Sequence, residues 1–330
     1  GRAFVDFQKR LLSLQQRGFI LALCSKNNPD DLNEVLLNHP HQLLKNEHFA
    51  AQRVNWQPKP DNLRAIAEEL NLGLDSFIFV DDSDYECSAV KHSLPEVDVI
   101  QVPARATEIP SCLDALARLE IVSLTAEDLQ KTAMYAQERL RKTQLEQLSD
   151  TGGSIEDYLK SLNMKMTVRL DDSSAVPRLA QLTQKTNQFN LTTRRYSEKD
   201  IAGMIDADEF CVYHFSLEDN FGNSGIVGLA IVERTEDNQA RLDTFLMSCR
   251  VIGRMAEQAF LSTIVGDLVS AGVRGLTAEY IPTRKNILVQ HFLPDSGFEA
   301  AESGVYARRL SDSDASEPGK DFPIIIEGPV

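Results

Sequence analysis

Three groups of polar side chains follow apolar or turn segments in the first third of the chain, and their types can act together in chemistry. They are Cys24, Ser25 and Lys26 after ILAL; Lys59 in WQPKPDN; and Asp81 with Asp82 after FIFV. Phosphoryl transfer depends mainly on positioning and on neutralising negative charge, which a hydroxyl, an ammonium and a carboxylate-bound Mg²⁺ supply. The combination indicates a phosphate-handling site, whereas an Asp-Asp pair taken alone is more typical of a helix cap.

Cys24 and Ser25 have two interpretations. At the carboxyl end of a strand in an open parallel sheet they lie where ligands bind, and Cys24 is then a candidate nucleophile. In the alternative interpretation Cys24 is a small buried apolar residue and Ser25 caps the following helix. Cys249, at a comparable turn in SCRVIGR, is the second candidate nucleophile.

The segment from Phe4 to Pro103 alternates helix and strand. The pattern predicts helices at Phe4–Arg17, near Asp30–Leu37, at Asn62–Leu70 and up to Val90, and strands at Phe19–Leu23, SFIFV and VDVIQVP. Short, continuously apolar strands between helices predict a doubly wound α/β domain with a parallel sheet. Because a helix precedes the first predicted strand, we expect this domain to be truncated, with an earlier strand missing.

The rest of the chain has a different composition. A charged helix opens with a Thr-x-x-Asp box at Thr125, and amphipathic strands with one strong helix, about Met255 to Ser270, follow the Gly152-Gly153 break. The acidic, proline-containing end predicts a poorly ordered tail. The predicted boundaries are 1–122 for the first domain, 123–153 for a helical connector, 154–310 for an α+β domain and 311–330 for the tail.

The bulk composition excludes several classes of protein. The 330 residues carry a formal net charge of −15, which argues against a broad nucleic-acid surface. Five cysteines without a CxxC pair indicate neither a disulfide framework nor a zinc site, which fits a reducing cytoplasm. No apolar run approaches the roughly 20 residues of a membrane span, so we expect a cytoplasmic protein.

The ordered signals Ser25, Lys59 and Asp81-Asp82 resemble the second, third and fourth motifs of the haloacid dehalogenase superfamily of phosphoryl-transfer enzymes. The resemblance implies that Ser25 and Lys59, with Lys26 and Asn27 nearby, hold the phosphoryl group and that the acidic pair holds Mg²⁺. The family's first motif, an Asp-x-Asp that carries the nucleophile, has no counterpart in the sequence. The resemblance therefore implies a phosphatase-type domain that lacks the family's nucleophilic motif.

Longer segments sharpen the resemblance. LALCSKNN, VNWQPK, FVDDSDYE, TNQFNLTTRRYSEKDI and SCRVIGRMAEQAFL are similar to the FkbH-like family, which joins a phosphatase-type domain to an acetyltransferase-like (GNAT-like) domain. The resemblance covers about Gly1 to Arg309. It implies that a glyceryl unit is taken from 1,3-bisphosphoglycerate, dephosphorylated and loaded as a thioester on an acyl carrier protein for polyketide synthesis. Cys24 is then the acyl acceptor, with Lys26, Lys59, Mg²⁺ and a helix N-terminus after Asn28 favouring its thiolate.

In the second domain, CRVIGRMAEQAFL resembles a degenerate acetyltransferase phosphate loop, and PTRKNILVQHFLPDSGFE resembles the last helical segment of that fold. The loop has one glycine, Gly253, where two small residues are usual, so a site for the carrier's phosphopantetheine arm is as plausible as a coenzyme A site. The predicted carrier-binding and pantetheine-binding residues are Arg194, Arg195, Arg250, Gly253, Arg254 and Asn286. With Arg284 and Lys285, the arginines form the basic cluster expected to dock an acidic carrier.

Purely structural interpretations of these residues remain for the second domain. Arg250 and Arg254 also suit a solvated helix face, and NQFNLTTRRY also suits a polar turn before a helix that Ser197 caps. Two other functions remain beside glyceryl transfer: a catalytically incomplete docking or scaffold module for carrier proteins, and an acetyl-CoA-dependent acetyltransferase.

Overall fold

The chain divides into two units, unit 1 at Gly1–Ala136 and unit 2 at Gln137–Val330. The structure is a computed structural model that describes residues 1–70, 72–119, 134, 137, 140–141, 144–145, 148, 152–302, 304–315 and 322–328. The division lies inside the predicted connector, residues 123–153, most of which lies outside the described residues. Those that are described between Met134 and Leu148 are helical.

Unit 1 alternates helices and strands as predicted. Its helices α1 to α4 are Arg2–Gln16, Pro29–Asn38, Lys59–Leu70 and Asp84–Ser93, and its strands β1 to β4 are Leu21–Ser25, Phe49–Val54, Ile78–Asp81 and Asp98–Gln101. The pattern did not predict β2, because its sequence FAAQRV contains two alanines and two polar residues, which are rare in strands. The other elements lie within a few residues of their predicted positions.

The strands of unit 1 pair in two parallel couples. β1 pairs with β2 from Leu21 to Ser25, and β3 pairs with β4 from Ile78 to Asp81. Among the described residues these couples are two separate two-stranded sheets, so the second edge of β1 and that of β3 have no strand partner there. The predicted parallel arrangement is confirmed within each couple.

Side-chain caps start the helices that follow β1 and β3. The Asn28 side chain accepts a hydrogen bond from the Asp30 amide (3.2 Å), and Pro29 occupies the first helical position of α2. The Ser83 hydroxyl accepts from the Glu86 amide (3.3 Å) at the start of α4. The alternative in which Ser25 caps α2 is therefore wrong, because Ser25 ends β1 and Asn28 makes the cap.

The core of unit 1 lies between the helices and the strand couples. Buried residues of α3, α4 and β3 pack together, among them Leu63, Phe79 and Val90. Cys87 belongs to this cluster and is buried. α1 packs against the 3₁₀ helix Ala106–Ala115, and none of its residues is buried.

Unit 2 contains one large sheet with helices on both faces. Its helices α5 to α9 are Ile155–Ser161, Val176–Lys185, Glu198–Ile205, Ala256–Ser270 and Phe292–Asp295, and its strands β5 to β13 are Met164–Leu170, Phe189–Asn190, Phe210–Asp219, Gly222–Arg234, Gln239–Met247, Gly275–Glu279, Glu299–Glu302, Val305–Arg309 and Ile324–Glu327. The described strands form the order β11-β12-β10-β9-β8-β7-β5-β13, with β6 paired to β9. The predicted α+β class is confirmed.

The sheet of unit 2 has an apolar core on each face. α8, whose start at Ala256 matches the prediction, places Phe260 against Phe215 and Phe245 on one face. α6 and α7 cover the other face through residues such as Leu179 and Ile201. Alternate residues of β7 reach the two cores because side chains of a strand point to opposite faces.

The end of the chain differs from its prediction. Ile324–Glu327 forms strand β13 and pairs in parallel with β5, Ile324 lying opposite Met164. The expectation of a poorly ordered tail is wrong for these residues, because three consecutive β-branched isoleucines favour a strand despite the acidic and proline-rich residues before them. The residues between 316 and 321 lie outside the described part.

Candidate functional site

Lys59 joins the carboxyl ends of β1 and β3. It is the first residue of α3 and is only 7% exposed. Its ammonium Nζ donates to the Cys24 carbonyl oxygen (3.0 Å) and to Asp81 Oδ2 (2.6 Å). The structure thus brings the three groups of predicted residues together at one edge, as expected for parallel strands.

Asp81 and Asp82 differ in their surroundings. Asp81 is nearly buried, and besides the Lys59 contact its Oδ1 accepts from the Ser83 amide (2.9 Å). Asp82 is exposed. Two adjacent carboxylates suit Mg²⁺, which usually binds through one or two carboxylates and keeps several waters. Among the described residues no group of three or more His, Cys, Asp or Glu side chains lies close enough to hold a metal, so the fit rests on this pair alone.

The residues after β1 make local contacts. Ser25 is half-buried at the end of the strand, and its carbonyl oxygen accepts from the Asn55 amide (3.1 Å). Lys26 donates to Glu86 Oε1 (2.6 Å), and this hydrogen bond is the main reason that its pKa is raised. Asn27 is exposed and accepts from the Asn28 amide (2.8 Å). A phosphoryl group bound at Lys26 would have to share this ammonium with Glu86.

Cys24 has surroundings that oppose its ionisation. Burial raises the pKa of the Cys24 thiol to about 11, and the nearby Lys59 ammonium lowers it by less than burial raises it. Lys59 thus acts in the predicted direction, but burial outweighs its effect, and Lys59 and Lys26 are already paired with Asp81 and Glu86. Near neutral pH the Cys24 sulfur therefore carries its proton.

In unit 2, Arg194 is partly exposed and is held by two acidic side chains. Its guanidinium donates to the Asp243 carbonyl oxygen (2.8 Å), to Asp243 Oδ1 (2.6 Å) and to Glu279 Oε2 (2.7 Å). The Tyr196 hydroxyl also donates to Asp243 (2.6 Å), and burial raises the pKa of Tyr196 to about 12. Sequence reasoning missed Asp243 and Glu279, and their only signal was that acidic residues in apolar strands need buried partners.

The other predicted pantetheine-binding residues are also engaged internally. Arg195 donates to the carbonyl oxygens of Thr183 and Thr186 and to the Asn187 side chain. Asn286 is fully buried and donates to the carbonyl oxygens of Asn190 (2.9 Å) and Ile281 (3.0 Å). The expectation that Asn286 faces a ligand is wrong, because it is fully buried and its amide fixes the backbone of unit 2. Arg195 is exposed and stays a predicted ligand-facing residue, although its guanidinium also bonds to the backbone.

The three predicted ligand-binding residues of the loop before α8, Arg250, Gly253 and Arg254, have different surroundings. Gly253 has a φ of +81°, a left-handed conformation that favours glycine. Arg254 is buried and donates to Asp219 Oδ2 (3.3 Å) and to the Arg250 carbonyl oxygen (2.7 Å), so it does not face solvent as a docking cation. Arg250 is half-buried and donates to the Ser248 hydroxyl (3.3 Å). The exposed cations of the predicted docking cluster are Arg195, Arg284 and Lys285.

Comparison with known proteins gives partial similarities. No protein-family model matches the chain, and no curated protein matches it. One similar solved structure is the N-terminal part of the protein BF1531 from Bacteroides fragilis, which contains a phosphatase domain complexed with Mg. It is 36% identical to this chain, and the match covers 38% of this chain and 33% of the BF1531 chain, with a TM-score of 0.36. The present chain thus spans about a third of that structure.

Acetyltransferases form the second kind of similar structure. The ribosomal-protein-S18-alanine N-acetyltransferase from Escherichia coli is 18% identical over 44% of this chain and 94% of its own, with a TM-score of 0.35. The PaiA N-acetyltransferase from Thermoplasma acidophilum, in complex with coenzyme A, is 11% identical over 44% of this chain and 99% of its own, with a TM-score of 0.36. No helix in the described part of the chain has the length and apolarity to cross a membrane.

Proposed function

We propose that unit 1 performs Mg²⁺-dependent phosphoryl-group chemistry at the site formed by Ser25, Lys59, Asp81 and Asp82. The observation that carries the proposal is the Lys59 ammonium, which lies between the ends of β1 and β3. A buried ammonium at the strand end that carries Ser25 suits the neutralisation and positioning of a phosphoryl group. Asp82, with Asp81 beside it, would hold the Mg²⁺, which adds further neutralisation of the phosphoryl oxygens.

The open edges of β1 and β3 support a way to complete this site. Parallel strands are normally paired and covered on both sides. A further parallel strand, supplied from outside the described residues, would pair with the open edges of β1 and β3. This strand would bring the acidic nucleophile that the resemblance to haloacid dehalogenases implies.

The substrate proposed from the family resemblance is 1,3-bisphosphoglycerate, and the product is a glyceryl thioester on an acyl carrier protein. Cys24 is the proposed acyl acceptor because it lies beside Ser25 at the carboxyl end of β1. Its pKa of about 11 means that a proton acceptor must remove the thiol proton before the sulfur attacks the C1 acyl carbonyl, and the C1 phosphate would then leave. Exchange onto the carrier's phosphopantetheine thiol would then release Cys24.

Phosphate release from 1,3-bisphosphoglycerate by the full chain with Mg²⁺ tests the phosphoryl chemistry. Lys59→Ala and Asp82→Asn are each expected to reduce the rate about 100-fold, the effect of removing one charge-stabilising group. Arg64→Ala is the matched control, since Arg64 is an exposed cation on the same helix. Equal rates in Lys59→Ala and Arg64→Ala would refute the proposal.

Mass spectrometry tests the acyl step. The peptide that contains Cys24 is expected to gain a glyceryl-sized mass that hydroxylamine removes. Cys24→Ser is expected to abolish loading of the carrier, and Cys249→Ser to leave it intact. A mass gain on Cys249 instead would assign the acyl site to unit 2.

A docking module without catalysis is the second candidate function. The observation that favours it is that Lys59 and Asp81 neutralise each other while the Cys24 thiol stays protonated. Carrier binding would then depend on the exposed Arg284 and Lys285 and weaken as ionic strength rises. Carrier binding without phosphate release, lost on charge reversal at these two residues, would favour this function over catalysis.

A further inference from the structure

Strands β9 and β10 separate within the sheet of unit 2. They pair in parallel from Gln239 to Leu242 and from Gly275 to Ala278, and the pairing stops there. The other edge of β9 pairs with β8 almost along its whole length. Where two strands separate, the amide and carbonyl groups of their facing edges must find other partners. A pantetheine chain, with its own amide groups, could pair with such an edge as an added strand does.

This edge of β9 is already paired by a segment of the chain itself. Phe189 and Asn190, which form β6, lie opposite Met247 and Leu246. The Leu191 amide then donates to the Phe245 carbonyl oxygen (3.1 Å). β9 therefore has protein partners on both edges up to its last residue.

The same segment also pairs with the chain that follows β10. The Ile281 amide donates to the Leu191 carbonyl oxygen (2.9 Å), so Leu191 bonds to both sides of the separation. The Thr192 hydroxyl donates to the Asp243 carbonyl oxygen (3.2 Å). Residues 189–192 thus fill the space between β9 and β10 with backbone and side-chain hydrogen bonds.

Polar contacts hold the segment in place. Arg194 bonds Asp243 on one strand and Glu279 on the other (2.6 and 2.7 Å), and Asn286 donates to the Asn190 carbonyl oxygen. Thr193 has a φ of +53°, which is unfavourable for a β-branched residue and persists only where the surroundings determine the backbone. The segment is therefore a fixed part of the sheet.

The loop before α8 is also poorly suited to a diphosphate. Its Arg254 points inward to Asp219. Glu257, in the first turn of α8, is 9% exposed, and its Oε2 has no hydrogen-bond partner among the described atoms. Burial raises the pKa of the Glu257 carboxyl group and favours its neutral form, so Glu257 supplies no positive charge that would attract a diphosphate. Met255, at φ +61°, places a side chain where the backbone conformation favours glycine.

We infer that unit 2 does not bind coenzyme A or an acyl-coenzyme A between β9 and β10, because residues 189–194 occupy that space as a permanent strand. The acetyl-CoA-dependent acetyltransferase function considered for this chain is therefore rejected for this cleft. A carrier's pantetheine arm, which has the same amides, is excluded from it for the same reason. Residues 189–194, held by Arg194, act as structural filling of the sheet.

Titration of the full chain with acetyl-CoA and coenzyme A tests the inference. At about 1 mM of either compound the melting temperature is expected to stay constant, whereas a ligand present at 100 times its Kd would stabilise the fold by about 2.7 kcal/mol. Hydrogen exchange at the Leu191 and Ile281 amides is expected to stay slow and unchanged. A concentration-dependent stabilisation accompanied by faster exchange at these two amides would show that the ligand displaces the segment, and would overturn the inference.

Arg194→Met tests the contacts that hold the segment. Loss of both ion pairs is expected to speed exchange of the Leu191 amide at least tenfold, while amides of β8 stay protected. Glu279→Gln removes only one ion pair and gives the same readout with a smaller effect if Arg194→Met does not fold. Unchanged exchange at Leu191 in both variants would overturn the role given to Arg194.

Discussion

Replacement of Lys59 by methionine tests the central contact of unit 1. The change removes the ammonium and keeps most of the side-chain volume. It leaves the Asp81 carboxylate, whose side chain is 8% exposed, with only the Ser83 amide as a neighbouring donor within this site. A buried charge that loses its counter-charge is the costly part of a broken ion pair, so the loss in stability should greatly exceed that of a surface pair.

The size of the effect follows from the burial of both groups. Removing one partner of a buried pair costs about 3–5 kcal/mol. The Ser83 amide still donates to Asp81 and offsets about 1 kcal/mol of this cost. We therefore expect unit 1 to lose about 3 kcal/mol, which corresponds to roughly 10 °C in its melting temperature.

Differential scanning calorimetry and urea unfolding of the full chain measure this loss. Arg64→Met is the matched control on the same helix, because the Arg64–Asp61 pair (2.8 Å) is more than half exposed on both sides and should contribute at most about 0.5 kcal/mol. Adding Asp81→Asn to Lys59→Met removes the stranded charge and should recover more than half of the loss. If Lys59→Met and Arg64→Met unfold within about 1 kcal/mol of each other, the buried contact does not stabilise the fold as argued.

Three further predictions concern other positions. A Cβ atom on Gly228 would lie 1.9 Å from the ring of Phe215, so Gly228→Ala should lower the free energy of unfolding by about 1–3 kcal/mol. Gly203 on α7 has open space around it, so Gly203→Ala should raise the free energy of unfolding by about 0.5–1 kcal/mol. Equal effects of the two variants in urea unfolding would contradict this. Burial lowers the pKa of His214, so the unfolded chain binds more protons and the free energy of unfolding should fall as the pH drops below about 6.5. His214→Gln should flatten this pH dependence. An unchanged slope of the unfolding free energy against pH in this variant would contradict the prediction. The rate of Cys24 alkylation by iodoacetamide should still rise about tenfold between pH 9 and pH 10, because its pKa is about 11, and a plateau by pH 9 would contradict burial of the thiol.

The sequence predicted the strand-end residues well because short-range rules determine them. Apolar runs bounded by caps placed β1 and β3, and the parallel alternation required Ser25 and Asp81 to end at the same edge. The charge state of Cys24 was not predictable in the same way. It depends on how deeply the thiol is buried and on whether each lysine already has a carboxylate partner, and Glu86, the partner of Lys26, is 60 residues away.

The segment NQFNLTTRRY shows why polarity alone does not identify a binding loop. A non-periodic run of amide, hydroxyl and guanidinium groups indicates only that many hydrogen-bond partners are needed. For Arg194 those partners are Asp243 and Glu279, which are 49 and 85 residues away in the sequence. A ligand and a distant acidic side chain satisfy a guanidinium equally well, so the sequence leaves both open. The structure distinguishes the two possibilities. The separation of β9 and β10 exposes backbone amide and carbonyl groups, and the segment that contains Arg194 bonds to them.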